Sequence, residues 1–290
     1  MIFTTITTAQ AMQNMLAFVQ SSDSEKIKYV KARYSRLQES DIGELSDVEI
    51  LAALKPNEER MMLFVNQYER VKDGVTPGLV LDASLLSEWS HFVNSAVVSA
   101  LETIVNTLGS VETSGSLLIE GVIDRLFNDR EYLRARLSRM RSLIGDAQLQ
   151  SEIIHTDRPT FELVYKPVTA PNSQSDNNFG MAFIEWMGVE PCMLINHRCL
   201  ENNALYTPGV SGFGNEYCFY IMLHELVHLL LGANDETYSP SPNDDISKVS
   251  VYVIDNLKPH EVDNVDNYCA LIFIVLSLMH DEGHLDLTLF

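Results

Sequence analysis

Basic residues all but vanish from the second half of this 290-residue chain. Residues 151–290 hold five Lys or Arg against 20 Asp or Glu, residues 1–150 hold 15 against 20, and the whole carries a formal charge of −20. So acidic a chain repels nucleic-acid phosphates and anionic lipid surfaces, which argues against direct nucleic-acid binding and favours cationic partners or basic polypeptide substrates. The same acidity also serves solubility alone. Cysteine is scarce too. Cys192, Cys199, Cys218 and Cys269 stand at spacings that fit neither a CxxC redox pair nor a zinc ribbon, so buried free thiols are expected. Long apolar runs are missing: the longest, CALIFIVLSLM over residues 269–279, falls short of the roughly 20 residues that span a bilayer. The opening MIFTTITTAQAMQNMLAFVQ has no basic stretch leading into a long apolar one, so no secretory signal peptide is expected. The expectation is a soluble chain with no membrane span. Action outside its producer would require a dedicated secretion machine, and the Thr/Gln-rich start suits such an export signal.

What is present is a composition 46% hydrophobic, enough for one sizeable domain or two ordinary ones. Helical spacing of apolar residues runs through SDSEKIKYVKARYSRLQES, ELSDVEILAALKPNEERMMLFVNQYERV and SLLSEWSHFVNSAVVSALETIVNTLG. SGSLLIEGVIDRLFNDREYLRARLSRMRSLIGD follows, carrying Arg125, Arg130, Arg134, Arg136, Arg139 and Arg141. Those arginines form a binding face, a solvated helix surface, or a surface docked against the acidic second half. After residue 150 the texture changes: TFELVYK, GMAFIEWM and PCMLINH read as short strands separated by Pro/Asn/Ser/Gly punctuation. These features predict an α+β chain with a helical region over 1–150 and a second domain over 151–290, though a helical bundle packed directly on the later part is the alternative.

NEYCFYIMLHELVHLLLG reads as a long buried helix from about Asn215 to Leu231, stopped by Gly232 in the C-terminal capping role. His224 and His228 lie four residues apart, so both imidazoles leave one face and can share a metal ion. Glu225 is turned about 100 degrees from His224, which suits a general base that reaches water without ligating. A chance HExxH in a core helix is the competing explanation. Two histidines and a carboxylate on so apolar a helix need partners, however, and a zinc ion supplies them. A structural zinc site is disfavoured, because such sites close with four protein ligands rich in cysteine. The following GANDETYS turns the chain back at Gly232, brings Asp235 forward as third ligand and sets Tyr238 three residues beyond.

HELVHLLLGANDETYS resembles the signature of the aspzincin metallopeptidases, the deuterolysin and peptidyl-Lys metalloendopeptidase group, in which HExxH precedes a GTxDxxYG-like turn. The resemblance implies a zincin-like metallopeptidase domain over 151–290, with zinc held by His224, His228 and Asp235. It also implies Glu225 as the catalytic base and Tyr238 as a donor to the developing oxyanion. PCMLINHRCLENN resembles the strand that such enzymes place before the active-site helix, an edge where Leu194 and Asn196 would bind an extended protein or peptide substrate by strand addition. KPHEVDNVDNYCALIF resembles the family's later segment that opens a helix, where an acidic pair forms the pocket for the residue after the cut. Asp266 matches the first acid and Cys269 replaces the second, which puts lysine preference in question. Helix capping is the alternative for Asp263 and Asp266, and His260, Glu261 and Asp263 are rival third ligands. The helical first half has no counterpart in the minimal secreted peptidases. A second resemblance, to zinc-protease effectors injected by bacteria, implies that acidity imitates nucleic acid and recruits a basic, DNA-binding partner. A binding protein that captures such a partner without cutting it is therefore the rival function.

Overall fold

A computed structural model describes residues 1–37, 45–72, 81–109, 117–156, 180–183, 192–196, 199, 203, 213–235, 257 and 264–289. Strand β1 (Ile2–Ile6) leads into helices α1 (Thr8–Gln20), α2 (Asp23–Leu37) and α3 (Asp47–Val71). Helix α4 (Ala83–His91) runs through a π-helical turn, Phe92–Val97, into α5 (Val98–Gly109), and α6 (Leu117–Leu126) and α7 (Arg130–Gly145) follow. Then come β2 (Gln150–Thr156), β3 (Gly180–Phe183), β4 (Cys192–Asn196), α8 (Glu216–Leu231), α9 (Val265–Asp281) and a terminal 3₁₀ turn, Leu287–Leu289. The class is α+β and mostly helical. No helix among the described residues is long and apolar enough to cross a membrane.

The chain forms two compact units that interleave in sequence: Met1–Phe3, Asp82–Gln150 and Arg198–Phe290 in one, Thr4–Leu81 and Ser151–His197 in the other. One of the passages between the units falls after Gln150. The physical grouping differs from a simple division into 1–150 and 151–290, because α4 to α7 pack in the same unit as the histidine helix.

In the second unit, α1 and α2 pack on α3, and Met12, Met15, Ile50, Leu54, Met61 and Phe64 form one core with Ile154, Cys192 and Leu194 of the sheet. Local signals explain the helix starts. Ser46 caps α3 by accepting from the Glu49 N–H, while the Glu49 carboxylate accepts from the Ser46 N–H at 2.8 Å, a reciprocal capping box. The sheet is mixed, in the order β1-β2-β4-β3. β2 and β4 run parallel, with Ile154 opposite Leu194 and Thr156 opposite Asn196, and β3 runs antiparallel to β4, with Met181 opposite Leu194.

In the first unit, α8 and α9 pack against each other, α7 packs on α8, and α5 and α6 pack on α9. An aromatic core joins these elements: Phe92 sits with ring centroids 5.0 Å from Phe219 and 5.3 Å from Phe213, and Trp89 lies 5.4 Å from Phe219. Such aromatic pairs add about 0.5–1.5 kcal/mol each beyond the area they bury. The α7 arginines serve neighbours within this unit. Arg130 pairs with Asp124 at 2.7 Å, and Arg136 donates to the Leu231 carbonyl at the end of α8. That carbonyl has no partner within its own helix, so α7 supplies one.

Candidate metal centre

Every residue of α8 except Ile221 is buried. Polar groups there need partners, since an unpaired buried polar group costs roughly 1–3 kcal/mol. Tyr220, His224 and His228, four residues apart, form one stripe along the helix. The His224 Nδ1 lies 2.7 Å from Asp266 Oδ1, and the His228 Nδ1 lies 2.7 Å from the Ala233 carbonyl oxygen. A carbonyl and a carboxylate can only accept, so both Nδ1 atoms carry the hydrogen and donate it. Both Nε2 atoms are then left with their lone pairs facing the other way.

Those two Nε2 atoms stand 3.1 Å apart, and Asp235 Oδ1 is 3.1 Å from each. Three acceptor atoms thus form an equilateral triangle. Lone pairs so arranged repel one another unless a cation lies among them. Two ligands of a tetrahedral ion, each held at about 2.0–2.1 Å, are separated by about 3.3 Å, so the triangle is within a few tenths of an ångström of one face of such a site. Without a metal, a proton must fill the cation's role. Burial opposes charging His224, but the carboxylates of Asp266 and Asp235 outweigh it and lift its pKa well above the usual histidine value. Burial likewise opposes the charged form of Asp235, and the two imidazoles facing it, once that proton lies among them, overcome burial and hold the carboxyl well below its usual range.

Backbone geometry brings Asp235 to the imidazoles. Gly232 takes a left-handed conformation at φ +62°, and its N–H donates to the His228 carbonyl at 2.9 Å, closing α8 with the residue type that adopts that region without strain. The turn is then tied down: the Val265 N–H donates to the Asn234 carbonyl at 3.0 Å, part of a parallel bridge between Asn234 and Asn264. That bridge fixes the start of α9. Asn264 donates to Asn267 at 2.7 Å, and Asn267 donates to the Leu126 carbonyl of α6 at 2.7 Å, all buried. Asp235 and Asp266 therefore approach His224 from opposite sides, one at Nε2 and one at Nδ1. Asp235 is 38% exposed, so the triangle is open to solvent on its carboxylate side.

Glu225 is 5% exposed and close enough to Cys199 and Cys269 that, after burial itself, its charge contributes to raising both thiols well above the ordinary value. All four cysteines are free and buried. Cys269, with His224 and Asp266, forms a second cluster of metal-binding types. The 2.7 Å between His224 and Asp266 there is hydrogen-bond contact, shorter than two ligands of one ion keep.

Two expectations change. Strand β4 lies between β2 and β3, so at Leu194 both of its backbone edges are already paired, and Leu194 is 2% exposed in the core of the second unit. Asn196 continues the pairing to β2 through Thr156. β4 is therefore not an edge for strand addition. Short apolar alternation identifies a strand but not its neighbours. Asp266, expected to line a pocket for a substrate side chain, is 2% exposed and accepts from His224 and, at 3.2 Å, from the Tyr220 hydroxyl. Tyr220 and the Ala233 carbonyl are the partners sequence reasoning missed. Tyr220 could have been found from its place one turn before His224. Tyr238, His260, Glu261 and Asp263 lie outside the described residues.

Compared with protein families, curated proteins and solved structures, the chain matches none.

Proposed function

We propose that this chain is a zinc-dependent endopeptidase with a zincin-like catalytic region. The observation that carries the reading is the 3.1 Å triangle of two imidazole nitrogens and a carboxylate oxygen, its imidazoles both anchored through Nδ1. His224, His228 and Asp235 would hold the ion and leave a fourth position open, the arrangement that separates catalytic from structural zinc. Zinc bound there would polarise a peptide carbonyl and lower the pKa of water towards neutrality. Glu225, beside His224 on the same helix, takes the proton of the attacking water and returns it to the leaving amine. The partly exposed Asp235 would let solvent reach the ion.

The test compares zinc-loaded protein with its Glu225→Gln variant on a mixed proteome, sequencing the new chain termini and measuring bound zinc. New termini from the unmodified protein alone, at equal zinc content, are expected. Equal cleavage by the variant would refute the role of Glu225. A second reading rests on a separate observation, the five basic against 20 acidic residues of positions 151–290. In it, the chain is an acidic effector that captures a basic partner without cutting it. Retention of basic polypeptides with no new termini from the zinc-loaded protein would favour that reading.

A further inference from the structure

Asp266 is a buried carboxylate that the peptidase chemistry does not use. Its Oδ1 is the acceptor for His224 Nδ1 at 2.7 Å and for the Tyr220 hydroxyl at 3.2 Å. Both donors belong to the stripe of α8 that carries the metal-facing histidines. An imidazole on a helix can rotate about its side-chain bonds and can carry its hydrogen on either nitrogen. Only one rotation and one tautomer aim a lone pair from Nε2 into the space shared with His228 Nε2 and Asp235 Oδ1. A carboxylate fixed behind the ring selects both at once, and its negative charge makes the opposite nitrogen a stronger donor. The Tyr220 hydroxyl, one helical turn away, fixes the carboxylate in turn. His228 is held by the uncharged Ala233 carbonyl instead, so the two rings are not equivalent.

We propose that Asp266, steadied by Tyr220, is a positioning residue that orients and strengthens His224 as a metal ligand. The assignment rests on the metal reading above. It also changes what the site can recognise: a carboxylate 2% exposed and shared between two donors is not offered to a lysine side chain, so any preference for basic residues has another source.

The experiment measures zinc affinity by competition with a chromogenic chelator, together with the visible spectrum of the Co²⁺-substituted protein, for wild type, Asp266→Asn and Tyr220→Phe. Asp266→Asn is expected to bind zinc 10–100-fold more weakly, the range for removing a partner behind a histidine ligand, and to shift the Co²⁺ bands. Tyr220→Phe should move both readouts the same way by less. Asp266→Glu should keep part of the affinity that Asp266→Asn loses. If the asparagine variant does not fold, Tyr220→Phe carries the test on the same two readouts. Unchanged affinity and spectrum in a folded variant overturn the proposal, as does retained affinity with selective loss of cleavage beside basic residues. A wild type that binds neither ion overturns the metal reading and this assignment together. One that binds both, matched by Asp266→Asn, overturns this assignment alone.

Discussion

Replacing Asp235 with alanine removes one corner of the triangle and leaves the two imidazoles in place. The turn that carries Asp235 is held by its backbone, through Gly232 and the Asn234–Val265 hydrogen bond, and not by the carboxylate. The change should therefore act on the metal and not on the fold. Zinc sites with four protein ligands bind with apparent energies of about 10–16 kcal/mol, or roughly 3 kcal/mol for each ligand, which corresponds to on the order of a hundredfold in affinity. Because Asp235 is 38% exposed, water can take its place and recover part of that loss. A fall in zinc affinity of roughly 10- to 100-fold is expected, read by titration against a chromogenic chelator, with unchanged far-ultraviolet circular dichroism. Unchanged affinity would refute the assignment of Asp235, and His260, Glu261 and Asp263 would be the next residues to replace.

The remaining expectations concern catalysis and the frame. Glu225→Gln should retain zinc and lose about 10²–10⁴-fold in peptide cleavage, and a loss below tenfold would remove the glutamate from proton transfer. Gly232→Ala should cost about 1–2 kcal/mol in denaturant titrations, all of it conformational, since nothing lies within 4 Å of the added methyl; no change would mean that the turn adjusts freely. Asn267→Ala should destabilise by about 1–3 kcal/mol by leaving the Leu126 carbonyl buried without this donor, and a neutral result in thermal unfolding would show that water replaces it. Ser46→Ala should cost about 1 kcal/mol by opening the capping box of α3.

The histidine helix was legible almost to the residue: a helix over 215–231 is expected, and Glu216–Leu231 is observed, ended by Gly232 in the left-handed region. Apolar residues all round and a terminal glycine are local signals of a buried helix and of its end. The sheet was less legible. β1 and β2 are not marked as strands by the sequence reading. Of the two neighbours of β4 one, β3, is close along the chain, while the other, β2, comes from some 40 residues earlier, as the pairing of Glu152 with Cys192 shows. Periodicity reports which face of a strand is apolar and says nothing of what lies on either side. The grouping of α4 to α7 with α8 and α9 was open only as an alternative for the same reason, because helix packing partners are chosen by shape over long separations.

The two carboxylates at His224 divide along that line. Asp235 is seven residues beyond His228, within reach of a single turn, so its position follows from the helix end and the glycine. Asp266 is 42 residues from His224, and only the hydrogen bond from the Val265 N–H to the Asn234 carbonyl makes its position intelligible. That bond joins the residue before Asp235 to the residue before Asp266, so one backbone contact sets the register of both carboxylates against a single imidazole. Losing that bond would free Asp235 to leave Nε2 while the α6 anchor at Asn267 kept Asp266 at Nδ1. His224 would then remain oriented by Asp266 while Asp235 no longer faced its Nε2, so this backbone contact, more than any side chain within the turn, decides whether both carboxylates meet the one ring.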